Sequence, residues 1–300
     1  MSAGHSHNTL SGRNLLISIV LNIGITIAQI IGGFISGSLA LISDAIHNLS
    51  DVISLIISYI ANLLTNSKKQ TLEKTFGYKR AEIIAAFVNA ASLIVIAVFL
   101  AIEAIKRFKN PQVIDENLVI ILALIAIVLN GLSVLLLRKD ASHNLNMKSA
   151  YLHLLTDMLT SVAVLIGGFL MKYYQIYWVD AVLTIAISVY LLIMSWHIFI
   201  DSLKILMLFA PPHIKIQKVI DELKKNNAVR NIHHVHIWQL NDHDCHFDAH
   251  VELKEDIKLS EFDVICKDLE TVLNEKFHIS HCYFQPEYDR NDSKDVIIQD

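Results

Sequence analysis

The chain has 300 residues, of which 53% are hydrophobic and 18% charged, with a mean hydropathy of +0.46; a soluble domain carries about 25% charged residues, so the composition belongs to the membrane class. A formal net charge of -4 and a pI near 6.4 leave no basic excess, which removes nucleic-acid binding from the candidate functions. Three cysteines, Cys245, Cys266 and Cys282, are odd in number and lack CxxC spacing, which speaks against a disulfide framework or a zinc knuckle and fits a reducing compartment.

The first stretch, MSAGHSHNTLSGR (1–13), is polar and has no signal-peptide pattern, so the apolar segment that follows is expected to stay as a membrane span. Six segments reach the roughly 20 apolar residues that a hydrocarbon core of about 30 Å requires. They cover 14–35, 39–64, 82–105, 117–137, 150–172 and 178–200. The sixth keeps an apolar pattern through KILMLFA towards Phe209, until Pro211 and Pro212 stop it. With a cytoplasmic N-terminus the inner connections hold Arg13, Lys68, Lys69, Lys74, Lys79, Arg80, Arg138, Lys139 and Lys148, and the outer ones Lys106, Arg107, Lys109 and Lys172. That bias predicts both termini in the cytoplasm of a multi-pass membrane protein; the inner (cytoplasmic) membrane is its expected location.

From Pro211 the chain turns charged. HIKIQKVIDELKKNN (213–227) has helical spacing, IHHVHIWQL and HFDAHVEL read as strands around the turn NDHDC, Ser260 opens a helix with Asp263 as its capping acid, and HISHCYF (278–284) reads as a last strand. The order αββαβ suits a small α+β sandwich. The expected division is a polar N-terminus at 1–13, a transport domain at 14–210, the α+β domain at 211–290 and a polar tail at 291–300.

One motif occurs twice in the membrane part. HNLSDVIS (47–54) is answered by HLLTDMLTS (153–161), each with a histidine and, four residues on, an aspartate. On a helix these positions share a face, so each span presents an imidazole and a carboxylate together. A single His-x-x-x-Asp is ordinarily a helix-stabilising pair, but ionisable groups inside a membrane mark function, and here there are two copies. His47, Asp51, His153 and Asp157 make two nitrogen and two oxygen ligands, a tetrahedral zinc set. Two aspartates cancel a divalent charge, and imidazole shifts preference towards zinc, cadmium or cobalt and away from magnesium and calcium.

Binding metal requires neutral imidazole and ionised carboxylate, so the same residues exchange metal for protons, and antiport follows from ligand competition. An intramembrane metallopeptidase would need His-Glu-x-x-His, which does not occur, so no enzyme and no organic cofactor is expected. A passive metal channel shares the site chemistry. Asp44 is expected as polar support one turn before His47, Asp180 as an interfacial residue, and Asn22, Gln29 and Asn130 as interhelical hydrogen-bonding groups. Gly32, Gly33, Gly37, Gly167 and Gly168 permit close helix contacts. Six of the 15 histidines fall at 233–250, and His246, Asp248, His250 and Glu252 alternate with apolar residues on one strand face. His5 and His7 offer weak metal capture at most.

These residues resemble the cation diffusion facilitators, exporters of zinc and similar metals, in the zinc-preferring cobalt-zinc-cadmium efflux branch. The resemblance runs from about Arg13 to Glu287 and rests on SLALISDAIHNLSDV, FGYKRAEIIAAFVNA, LNMKSAYLHLLTD, WVDAVLTIAI, IHHVHIW, HVEL and HCYFQPE. It implies a homodimer in membrane lipid, each protomer a polytopic α-helical protein with six transmembrane helices and a cytoplasmic α+β ferredoxin-like domain for metal sensing and dimerisation. It carries the transport site onto His47, Asp51, His153 and Asp157, and a regulatory zinc site onto His233, His250, His281 and Glu287. The implied activity is proton-coupled zinc export, with cadmium and cobalt as further candidates. Two departures stand out. The connection NSKKQTLEKTFGYK offers Glu73 but no histidine, so a further metal site known in some members is expected to be missing. No acidic residue lies within Leu206 to Ala210, so the basic pair Lys79 and Arg80 lacks the partner many members have, with Asp201 as the substitute candidate.

Overall fold

The computed structural model describes residues 8–66, 71–138, 145–241 and 244–297. The element order is α1 (Asn8–Ser36), α2 (Leu39–Asn66), α3 (Ala81–Lys109), α4 (Glu116–Leu137), α5 (Leu145–Tyr174), α6 (Trp178–Leu206), α7 (Ile216–Leu223), β1 (Val229–Gln239), β2 (Cys245–Leu253), α8 (Leu259–Phe277) and β3 (His281–Glu287). The chain forms two compact units, Met1–Tyr59 with Val88–Ile198, and Ile60–Phe87 with Phe199–Asp300.

In the first unit, helix ends follow local chemistry. α1 stops where Gly37 takes a left-handed φ of 76° and its N–H donates to the Gly33 carbonyl. α4 begins where Asp115 accepts from the N–H groups of Asn117 and Leu118. α3 has Glu82 in its first turn and Lys106, Arg107 and Lys109 in its last, matching its dipole. Five helices among the described residues are long and apolar enough to cross a membrane: α3, α4 and α6 throughout, α1 over Ile19–Ser36 and α5 over Tyr151–Tyr174. α2 has spanning length at 28 residues, and its side chains are described as far as Ile53.

α4 packs along α5 and α1. Leu41, Ala97, Val119, Ala123, Val164 and Leu191 bring five helices into one apolar cluster. A Cβ on Gly33 would lie 2.7 Å from Ile42 Cγ1 and 3.2 Å from its backbone nitrogen, so α1 and α2 meet closely only because that position is glycine. Large apolar side chains such as Phe34, Phe99 and Leu135 face outward, a surface suited to lipid tails in a multi-pass membrane protein.

In the second unit β2 is central, antiparallel to β1 and parallel to β3. Phe247, Ala249 and Val251 of β2 are fully buried with Val219 and Ile220 of α7 and Leu269 and Leu273 of α8, so both helices cover one sheet face. The αββαβ order agrees with the sequence reading, but boundaries differ: α7, Ile216–Leu223, is shorter than the expected 213–227, and β1 begins earlier, at Val229. α8 starts earlier than Ser260, with the Lys258 N–H donating to Glu261 rather than Asp263 in the capping role. β3 starts three residues after the expected position, because His278 takes a left-handed φ of 56° and closes α8. α6 ends at Leu206, since Leu208 has a φ of 61°.

Candidate functional site

The helix that carries the first motif is pinned at its start. Ser38 precedes α2 and its hydroxyl accepts from the Leu41 N–H at 3.1 Å, while also donating to Asp180 Oδ1 at 2.5 Å. The Asp180 carboxylate of α6 also accepts from the N–H groups of Leu39 (2.9 Å) and Ala40 (3.3 Å). Asp180, at the start of α6, is 2% exposed, so its carboxylate is covered by protein. It fills the anion position at the N-terminus of α2, where free N–H groups converge. α2 and α6 are tied together this way.

His47 and Asp51 of α2 then meet His153 and Asp157 of α5. His153 Nε2 lies 3.3 Å from Asp51 Oδ2 and 3.6 Å from Asp157 Oδ2, and His47 Nε2 lies 3.7 Å from Asp157 Oδ1. Within α2, His47 Nδ1 is 3.7 Å from Asp51 Oδ2. Four ligands about 2.0–2.1 Å from a zinc ion stand roughly 3.3–3.4 Å apart at tetrahedral angles. His47, His153 and Asp157 each offer an atom within 4.8 Å of the others, so these three could hold one cation, whereas Asp51 stays outside that mutual set and joins it through His153 and His47. Asp157 is 1% exposed, and His47 Nε2, Asp51 Oδ2 and both Asp157 oxygens make no hydrogen bond among the described residues. Buried lone pairs left this way are costly, and a divalent cation would use all of them. Tyr190 of α6 sets its ring edge-on to His47 at 5.8 Å between centroids, a neighbour that sequence reasoning missed, although a lone tyrosine within an apolar span was its signal.

Asp44 supports a helix rather than an imidazole. Gln29 of α1 donates to Asp44 Oδ2 at 2.7 Å and accepts from Asn48 Nδ2 at 3.2 Å, so the interhelical role expected of Gln29 is the one it has. Asn130 is fully buried, and its side chain makes no hydrogen bond among the described residues.

A second histidine and carboxylate cluster lies on the sheet face opposite the helices. His233 of β1 is opposite His250 of β2, and Glu287 of β3 reaches both, at 3.1 Å to His233 Nε2 and 2.8 Å to His250 Nδ1. Asp292 joins them at 3.7 Å from His233 Nε2. His281 does not, because the parallel register of β3 sets it opposite His246 and leaves Gln285 opposite His250. Desolvation pulls the His250 imidazole below its usual range against the Glu287 carboxylate, which favours the neutral ring a metal needs. His233 retains buried ring nitrogens without hydrogen bonds among the described residues, and with Asp292 beside it the set suits a borderline cation such as zinc. His5, His7 and His243 lie outside the described residues.

His281 instead stacks on His246 (4.7 Å, 18°), which also stacks on Trp238 and receives the edge of Phe76. Beside this stack Lys79 forms an ion pair with Asp244 at 2.8 Å, so the basic residue left without its usual partner finds one in the β1–β2 turn. Asp201 pairs with Lys204 instead. Burial opposes ionisation of Asp244, but the hydrogen bond and charge of Lys79 outweigh it and hold the carboxyl below the usual aspartate range. Burial raises the thiols of Cys245 and Cys266 to about 11 and that of Cys282 to about 12, which leaves them without thiolate character.

Similarity to known proteins covers nearly the whole chain. Residues 15–207 match the cation efflux transmembrane domain and residues 211–289 the cytoplasmic domain of cation efflux proteins. The "Cadmium, cobalt and zinc/H(+)-K(+) antiporter" of Bacillus subtilis (strain 168) is 35% identical over 298 residues, covering 98% of this chain and 95% of the relative. "Cation efflux system protein CzcD" of Alcaligenes sp. (strain CT14) is 32% identical, covering 95% and 90%, and "Zinc transporter ZitB" of Escherichia coli (strain K12) is 31% identical, covering 96% and 93%. The chain therefore belongs to the cation efflux family, the cation diffusion facilitators that its paired motifs resemble.

Proposed function

We propose that the protein is a proton-coupled antiporter that exports zinc from the cytoplasm through a site formed by His47, Asp51, His153 and Asp157. The observation that supports this reading is the meeting of His47, His153 and Asp157, one ligand atom of each within 4.8 Å of the others, with Asp51 Oδ2 3.3 Å from His153 and with Asp51 and Asp157 oxygens and a His47 nitrogen left unsatisfied among the described residues. The loaded site has zero formal charge. The empty site would hold two carboxylates in low dielectric, at an effective cost of several kcal/mol per ion, unless protons replace the metal. Each loading event therefore releases protons, and each return carries them back. The chemistry needs no separate proton path.

Six spans, α2 included, with both termini on the cytoplasmic side of the inner membrane, put the second unit's sheet in contact with cytoplasmic zinc. The domain at 211–290 is read as ferredoxin-like, dimer-forming and metal-sensing, with His233, His250 and Glu287 in a regulatory site and His281 in the stack beside it. The relatives' printed names support the cargo, zinc foremost with cadmium and cobalt beside it.

The test is zinc flux in proteoliposomes under an imposed pH difference. Collapsing the gradient should slow uphill zinc movement at least about tenfold. Flux indifferent to the gradient would remove the antiport reading and leave a passive channel.

A further inference from the structure

The chain beyond β3 does not run free. Asp289 turns it with a φ of 50°, and residues 290–297 come back along β1. There β1 has a bulge: its register to β2 shifts between His233 and His236, and His234 has a φ of 50°. The bulge frees two successive N–H groups on the outer edge of the sheet. The returning strap takes both, His234 N–H donating to the Asp295 carbonyl at 3.1 Å and Val235 N–H to the Val296 carbonyl at 2.8 Å. Val296 also packs against the apolar core of this unit.

The strap brings charges to the second cluster. Asp292 arrives beside His233, and with it come Lys294, 2.6 Å from Asp292 and 3.5 Å from Glu287, and Arg290, 3.0 Å from Glu287 and 3.6 Å from Asp292. Two carboxylates and two cations cancel, so the cluster is neutral without metal. A divalent ion added to it would create a net excess of two positive charges in a half-buried site. Metal and the strap's cations therefore compete for the same oxygens.

We propose that this C-terminal strap is a built-in competitor and latch for the cytoplasmic metal site: Asp292 is a ligand, and Lys294 is the internal cation that holds Asp292 and Glu287 until zinc displaces it. Zinc then locks the strap to β1 through Asp292, whereas without metal Lys294 holds it there. The hydrogen bond from Lys294 holds Asp292 below the usual carboxylate range and Lys294 above the usual lysine range, in keeping with a cation seated on its counter-ion. The inference rests on the reading of this cluster as a metal site.

The experiment uses the full chain in detergent or nanodiscs, with Asp51→Ala removing the membrane site. Zinc is titrated against a chromophoric chelator, and hydrogen exchange is followed in the segment 232–237. Lys294→Gln should bind cytoplasmic zinc about tenfold more tightly, while Asp292→Asn should bind it at least about tenfold more weakly. Lys294→Arg, which restores the cation, should behave as the parent. Without zinc, Lys294→Gln should exchange faster at 232–237, and zinc should restore protection there but not in Asp292→Asn. A purely structural lysine would loosen the segment with and without zinc and leave affinity unchanged, which would overturn the proposal. An Asp51→Ala parent that binds no zinc would overturn both the proposal and the cytoplasmic-site reading. Zinc bound there but insensitive to both substitutions would overturn the strap alone.

Discussion

The membrane cluster and the cytoplasmic cluster are built from the same parts, two histidines and two carboxylates, and differ in what balances them. Around Asp51 and Asp157 the ion-pair partners among the described residues are the two histidines alone. Around Glu287 and Asp292 stand Arg290 and Lys294 as well. In a low-dielectric span a flexible lysine would fill the site permanently, since no water would stabilise it elsewhere. At the edge of a solvated domain the same lysine can leave. The first arrangement makes metal or protons the only available counter-charge, which is what an exchanger requires. The second makes metal one of two, which suits graded sensing.

The largest expected effect breaks this comparison if it fails. Asp51→Ala or Asp157→Ala should lower zinc transport in proteoliposomes at least about a hundredfold with the protein still folded, because nothing else can balance the ion. Glu287→Gln should lower it only a few-fold at saturating zinc. Equal losses from the two clusters would show that both are obligatory parts of one transport route.

A middle-sized effect sharpens the membrane half. Asp180→Ala removes a buried charge-assisted acceptor from the start of α2 and should cost about 1.5–3 kcal/mol, read as a lower midpoint of thermal unfolding in detergent. An unchanged midpoint would mean that α2 is positioned by apolar packing alone.

The smallest effect belongs to the second unit. Asp244 has its folded pKa depressed by Lys79, so this pair stabilises the protein above the unfolded aspartate value of about 3.9 and loses its contribution as pH falls through the lower folded value. Asp244→Asn should flatten that acid limb by less than about 1 kcal/mol, since the pair is partly solvated. A stability profile between pH 2 and 5 that is the same for both proteins would remove the ion pair from the energetics of this unit.

The paired motifs were readable because a four-residue spacing on a helix fixes a shared face before any fold exists, so the pairs His47 with Asp51 and His153 with Asp157 followed from periodicity. The helical class and the αββαβ order followed in the same way, from run length and alternation. The role of Asp180 at the start of α2 was not legible because its partners, Ser38, Leu39 and Ala40, lie some 140 residues away and no local pattern links them. Lys79 and Asp244 are separated in the same manner. In the cytoplasmic cluster, the family resemblance pointed to His233, His250, His281 and Glu287, and the structure brings three of them together with Asp292 in place of His281. His281 and Glu287 occupy the same strand face, and only the parallel register of β3 decides that Glu287 reaches the histidine pair.

By itself, then, the sequence determined the family, the helical membrane class and the pairing of a histidine with an aspartate on each of two helices, since hydrophobic run length and helical period are properties of neighbours along the chain. The tertiary structure decided what those residues are balanced by: Asp180 at a helix end, Gln29 beside Asp44, Lys294 on a strap. Counter-charge and hydrogen-bond partners act through space over a few ångströms, and folding alone brings such distant positions that close.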